Sequence, residues 1–283
     1  MEPRSEIDRL INTISSSADV LEPAAYEAVC NFVRQSQTKS GAFADRGATP
    51  DLYYSFFGFM ICKAFNLNDE LNKLQEFVFC SKTKNNKNLI DWSIEVLLRY
   101  SFKPTFALKL KVSIKLLFRW LKERRNSDKV YLTFISLLML NYFWGWNRCI
   151  SLQIDKLTSA FLLNDHSPTS HLAAALCIRN HAQLGTDNLS ALLMKNAHPN
   201  GGFVSFCDHE TPDMLSTAVA IYALNQTDIN IKAITADGLE FVSSHFDNGA
   251  FLSGDGDTTR DVEYTFYGLL ALSLYAQQLN PDK

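Results

Sequence analysis

Three segments of this chain share one grammar, and that grammar restricts the fold more than any other feature. The first is Gly41-Ala42-Phe43, followed by Thr49-Pro50-Asp51-Leu52-Tyr53-Tyr54-Ser55-Phe56. The second is Gly201-Gly202-Phe203, followed by Thr211-Pro212-Asp213-Met214-Leu215-Ser216-Thr217-Ala218. The third is Gly249-Ala250-Phe251, followed by Thr259-Arg260-Asp261-Val262-Glu263-Tyr264-Thr265-Phe266. In each, a helix ends, a glycine permits a tight turn, and a short polar loop leads to an aspartate ahead of an apolar run. Thr or Asp at that point suits a helix N-cap, because its side-chain oxygen accepts from backbone N–H groups that the first helical turn leaves free.

Weaker copies fill the middle of the chain. Apolar runs begin at Asp91-Trp92-Ser93, at Asp128-Lys129-Val130-Tyr131 and at Pro168-Thr169-Ser170-His171. Amphipathic stretches lie between them, such as Ala24 to Gln35, Asp187 to Asn196 and Ile231 to His245. The period is about forty to fifty residues, the size of a helix-hairpin repeat. The expected fold class is all-α, with repeats starting near residues 24, 68, 104, 150, 187 and 231 of a single domain over 1–283. There is no strand pattern and no linker rich in Pro, Gly or Ser.

Composition excludes several function classes. Hydrophobic residues make up 47% of the 283 and charged residues 20%, which is globular and not disordered. A formal net charge of -3 gives no global attraction to nucleic acid, so none is expected as a partner. The polar N-terminus lacks the apolar stretch of a signal peptide, and a cytoplasmic location is expected. Cys30, Cys62, Cys80, Cys149, Cys177 and Cys207 are scattered through mostly apolar runs and read as buried free thiols. The most apolar run, Val130 to Trp146, is short for a membrane span and contains Thr133, Ser136 and Asn141. No phosphate-cradling glycine loop, dinucleotide fingerprint or nucleophile elbow is present.

Gln37-x-x-x-Gly41-x-Phe43, with Pro50-Asp51 and an aromatic run behind it, resembles the repeat of protein-prenyltransferase β subunits and squalene/terpene cyclases. The Gly201 and Gly249 segments fit the same pattern, with Ala197 and His245 where the family often has Gln and Phe where cyclases usually carry Trp. The resemblance implies an (α/α)6 toroid whose inner helices surround a funnel for a polyisoprenoid chain. It places the chemistry on polar groups near the inner-helix ends.

Two reactions belong to that resemblance. Prenyltransferases activate an acceptor thiolate on zinc held by Asp, a Cys two residues on, and a His in the last repeat. Here the position two after the repeat Asp is Tyr53, Leu215 or Glu263, and the final His position falls at Tyr264. No metal site is expected there. The cluster Cys207-Asp208-His209-Glu210, with Asp213 behind it, has ligand-type residues but reads as a polar loop. Cyclases protonate an alkene with the middle acid of Asp-x-Asp-Asp-Thr and surround the cation with aromatic faces. Two segments resemble that motif: Asp255-Gly256-Asp257-Thr258-Thr259 and Asp261-Val262-Glu263-Tyr264-Thr265.

The catalytic candidates are therefore Asp257, Glu263, Asp255 and Asp261. The substrate-binding candidates are Tyr53, Tyr54, Phe57, Trp92, Tyr131, Tyr264 and Tyr267, although aromatics at such positions also serve plain core packing. The expected function is isoprenoid processing, with a prenyl chain protonated and cyclised in an aromatic cavity. The alternatives are a prenyltransferase-like transferase and a non-catalytic toroid that binds a lipid or protein partner. No cofactor is expected, and Mg²⁺ enters only if the substrate is a diphosphate. The stretch from Lys103 to Arg125 carries Lys103, Lys109, Lys111, Lys115, Arg119, Lys122, Arg124 and Arg125 against one acid, Glu123. Leu108, Val112, Leu116 and Leu117 alternate with them, a pattern compatible with a solvated outer helix, a diphosphate dock or peripheral contact with an anionic membrane.

Overall fold

The computed structural model describes residues 5–80, 89–123, 129–145, 163–227 and 229–279, and the side chains of all of these except 89 and 117–135. The described chain is mostly helical. It falls into two compact units: Met1–Asn12 with Val33–Gly145, and Thr13–Phe32 with Trp146–Lys283. Helices α1 (Glu6–Ser15) and α2 (Pro23–Gln35) each contribute residues to both.

The first unit holds α3 (Leu52–Ala64), α4 (Asn68–Cys80), α5 (Leu89–Phe102), α6 (Phe106–Glu123) and α7 (Lys129–Trp144). Helix α3, with sequence LYYSFFGFMICKA, is apolar around most of its circumference. Such a helix must be covered on all sides. It packs on α5, and α5 packs in turn on α7, while α4 and α6 lie against this inner row. One core cluster joins Ile7, Val96, Leu97, Val112, Leu116, Met139 and Phe143. The N-terminal end of α1 is fixed there by the Glu6 N–H, which donates to Asn141 Oδ1 at 2.8 Å.

The second unit repeats the arrangement with α8 (Thr169–His181), α9 (Asp187–Met194), α10 (Met214–Leu224), α11 (Lys232–Ser244) and α12 (Val262–Leu279). The apolar helices α8, α10 and α12 pack side by side, with α9 against α8 and α11 against α12. Leu172, Leu176, Ala218, Ile221, Leu224, Leu269 and Tyr275 fill this core. Amphipathic helices start at Pro23, Asn68, Phe106, Asp187 and Lys232; the expected repeat start near 150 lies outside the described residues.

One hydrogen-bonded device builds each of the three recognised segments. Asp51, Asp213 and Asp261 cap their helices, accepting from the N–H of Tyr54 at 3.0 Å, Ser216 at 2.7 Å and Tyr264 at 2.8 Å. Four residues on, a hydroxyl links turn to helix. Thr217 Oγ1 donates to the Asp213 carbonyl at 2.7 Å and accepts from the Phe203 N–H at 2.9 Å. Ser55 makes the same pair of bonds with Asp51 and Phe43, and Thr265 with Asp261 and Phe251. The Phe N–H is buried in every copy, and an unmade bond there would cost about 1–3 kcal/mol.

The turns form short ribbons, pairing Phe43 with Asp51 and Phe203 with Asp213. Two-residue strands are too short to leave a period in the sequence. The third copy differs, because Asn248-Gly249 closes a hairpin that pairs Phe246 with Phe251. The ribbon glycines touch the backbone of another helix. A Cβ on Gly41 would lie 2.2 Å from the Lys73 carbonyl oxygen on α4, and one on Gly201 2.1 Å from that of Asp237 on α11. A Cβ on Gly249, in the last repeat, would lie 2.1 Å from the Ala28 carbonyl oxygen on α2, in the first.

Cys30 and Cys62 are buried as expected, Cys177 is half-buried, and Cys80 at the end of α4 and Cys207 in a polar loop are exposed; Cys149 lies outside the described residues. No helix among the described residues is long and apolar enough to cross a membrane. At the α11–α12 contact, the fully buried Tyr275 ring fills the space beside Gly238, where a Cβ would meet it at 2.3 Å. Among the described residues the Tyr275 hydroxyl has no hydrogen-bond partner, and burial pushes its pKa up. Tyr275→Phe removes this unsatisfied group while keeping the ring. It should leave the unfolding midpoint in denaturant unchanged or raise it by up to about 1 kcal/mol of stability. A clear loss of stability would mean that the hydroxyl is satisfied in solution.

Candidate active site

Polar loops ahead of the inner helices of the second unit enclose an open cavity of about 830 Å³. Pro168 and Ser170 contribute from the start of α8. Ser205, Phe206, Asp208, His209, Glu210 and Thr211 come from the loop before α10, with Asp213, Leu215 and Ser216 from the cap and first turn of that helix. Asp255 and Tyr264 complete the wall from the loop before α12 and from its first turn. Two cross-repeat bonds hold these loops. The Thr169 N–H donates to the Ser205 carbonyl at 2.9 Å, and the Met214 N–H to the Ser253 carbonyl at 2.7 Å. Each satisfies a free N–H of a helix start and draws the following loop over it.

The electrostatics are acidic and divided. Asp213 is half-buried, and its carboxyl is pushed above the ordinary aspartate range by burial, with the negative charge of Asp255 adding to the effect. Asp255 is exposed and held below the ordinary range. Its carboxylate accepts first from the Ser253 hydroxyl and then from the Asp257 N–H at 3.1 Å. Neighbouring carboxyls with pKa values driven apart can divide the roles of proton donor and standing anion. Asp208 and Glu210 lie at the exposed rim. A second pair of polar groups lines the same cavity: Ser205 Oγ lies 2.6 Å from His209 Nδ1, and the His209 ring packs on Phe206.

Of the sequence-derived candidates, Asp255 and Tyr264 line this cavity. Asp257 and Glu263 do not. The Asp257 carboxylate turns back to accept from the Thr259 N–H at 2.8 Å, and Glu263 is buried on α12. Asp261 is buried and occupied as the α12 cap. Tyr267 packs on Tyr264, with ring centroids 6.4 Å apart. Tyr53, Tyr54 and Phe57 form an edge-to-face cluster in the first unit, and Trp92 packs on that unit's core with Lys115 Nζ 4.3 Å from its ring centroid. All four lie in the first unit, whereas the residues that line the acidic cavity belong to the second. The side chain of Tyr131 lies outside the described residues.

The Cys207–Glu210 cluster does not converge. Cys207 Sγ faces His166 Nδ1 at 4.0 Å, while His209 turns to Ser205. Among the described residues, no three His, Cys, Asp or Glu side chains come together to hold a metal ion. Asp213, in the sequence a repeat aspartate standing behind the Cys207–Glu210 cluster, lines the cavity with its carboxyl pushed above the ordinary range. No protein-family model matches this chain, and no curated protein matches it.

Proposed function

We infer that this protein is an isoprenoid-processing enzyme of terpene-cyclase type, with the acidic cavity of the second unit as its active site. The carrying observation is Asp213, a carboxyl pushed above the ordinary aspartate range, which lines the cavity together with Asp255, a carboxyl held below it. In this reading Asp213 donates its proton to an alkene carbon of a prenyl chain and becomes a carboxylate. The cation develops beside Tyr264 and Phe206, whose ring faces carry partial negative charge. Loss of a proton from the product to Asp255 restores neutrality, and the product is an isomer of unchanged mass. The acid assigned from sequence to Asp257 or Glu263 is here Asp213.

An (α/α)6 toroid is the architecture that goes with this reading. Its support is the repeated hairpin grammar of the sequence and, within the second unit, the approach of the last repeat's Gly249 to α2 of the first repeat. The transferase alternative has less support, because the resemblance puts its zinc ligands at Tyr53, Leu215 or Glu263 and at Tyr264, none of which supplies thiolate or imidazole. A non-catalytic binding toroid is favoured by a different observation: Asp255, Asp257 and Asp261 all hold turn or cap hydrogen bonds.

The purified chain, incubated with squalene and a panel of prenyl diphosphates with and without Mg²⁺, decides between them by mass spectrometry of the products. The expected result is a new isomer of unchanged mass. No product from folded protein would assign the cavity to binding.

A further inference from the structure

We propose that helix α6 is a membrane-surface dock, laying one face on a bilayer of anionic phospholipid. The helix has two apolar faces. Val112 and Leu116 are buried and join the core of the first unit. Phe106, Leu110 and Ile114, spaced four apart, form a second stripe pointing away from it, with 69%, 45% and 47% of their surfaces exposed. Trp144 widens the stripe. It is exposed at the end of α7, packs edge-to-face on Phe106 at 6.2 Å and donates its indole N–H to Ser113 Oγ at 2.8 Å.

Cations border this stripe on both sides. Lys103, Lys111 and Lys115 are exposed, and Lys109 Nζ lies 3.8 Å from the Trp144 ring centroid. No acidic residue occurs from Tyr100 to Leu116. An apolar stripe with an indole at its edge and lysines on both flanks is the arrangement that lies in a headgroup layer. The apolar side chains enter the acyl boundary while the ammonium groups extend to phosphates. Charge selects the occupant. A second copy of the same face would bring two lysine rows together, which like-charge repulsion opposes. An anionic bilayer complements both the stripe and its border. The surface lies wholly in the first unit and does not depend on the reading of the acidic cavity in the second.

The test is co-sedimentation of the full chain with phosphatidylcholine vesicles and with vesicles about one-third phosphatidylserine. Wild type should pellet with the anionic vesicles, several-fold less with neutral ones, and less again as salt rises. Phe106→Ser combined with Ile114→Ser should lower partitioning by about tenfold or more. Lys103→Glu combined with Lys111→Glu should do the same by reversing the border charge. All four positions are exposed, and circular dichroism of each pair should match wild type. The proposal is overturned by folded wild type that stays in the supernatant, by either pair binding as wild type does, or by equal binding to both vesicle types. A wild-type dimer dispersed by the Phe106/Ile114 pair would assign the face to a second copy and overturn it equally.

Discussion

Gly201→Ala is expected to destabilise the protein by about 3 kcal/mol or more. Two costs combine. Gly201 has φ +91°, where an L-residue suffers a clash of its own Cβ with the backbone worth roughly 1–2 kcal/mol. The added methyl would also lie 2.1 Å from the Asp237 carbonyl oxygen and 2.6 Å from its carbon. These are helical backbone atoms that cannot rotate away, so the ribbon must lift off α11. Overpacking of that kind costs about 1–3 kcal/mol more. Gly256 supplies the control. Its φ is +98°, but nothing lies within 4 Å of the Cβ position. Gly256→Ala should therefore cost only the conformational part, about 1–2 kcal/mol. Denaturant unfolding of the two variants beside wild type measures the difference. For a domain of ordinary stability, a loss of 3 kcal/mol is a large fraction of the total. Equal losses at Gly201 and Gly256 would show that the ribbon's contact with α11 contributes nothing.

The same positions show why some features could be read in the sequence and others could not. The caps were legible, because Asp51, Asp213 and Asp261 each sit one residue before an apolar run, where a carboxylate accepts from the first helical turn. The alternation of apolar and amphipathic helices was legible too, since an inner helix such as Met214–Leu224 has no polar side to expose. The hydroxyl four residues after each cap was in plain sight. Its role was not, because Ser55, Thr217 and Thr265 bond to a main-chain N–H brought close only by the folded turn.

The site candidates failed to converge for a similar reason. Asp255 and Asp257 are two residues apart in a glycine-rich loop, yet one lines the cavity and the other closes a local turn. Backbone direction in such a loop is set by Gly254 at φ +91° and Gly256 at φ +98°, values that no side-chain pattern encodes. Glu263 stands two residues past its cap and is buried on α12, whereas Tyr264, one residue further round the helix, lines the cavity. Motif register alone therefore points to this loop and cap but not to Asp213, whose carboxyl is pushed above the ordinary aspartate range by burial and the charge of Asp255.

Asp213→Asn should reduce turnover of a prenyl substrate by roughly 10²–10⁴-fold, the usual contribution of a positioned general acid, and leave the protein folded. The separation is possible because asparagine caps helices about as well as aspartate. The Ser216 N–H keeps its acceptor, while the group that can release a proton is gone. Asp213→Ser, another good cap without an acid, should behave alike and guards against an effect peculiar to the amide. Stability gives an independent reading. The folded-state pKa of Asp213 is raised, so the folded chain binds more protons than the unfolded chain between the ordinary aspartate value and the raised one. Wild-type stability should fall as pH rises through that window, as the buried carboxyl is forced to ionise beside Asp255. Asp213→Asn lacks this penalty. Its Tm relative to wild type should therefore be higher at neutral pH than at acid pH below the window. Asp257→Asn, whose carboxylate faces its own turn, should keep wild-type turnover. Full turnover in Asp213→Asn, or a loss confined to Asp257→Asn, would place the proton donor elsewhere. An unchanged Tm difference across pH would show that Asp213 ionises freely and cannot be the group that holds the proton.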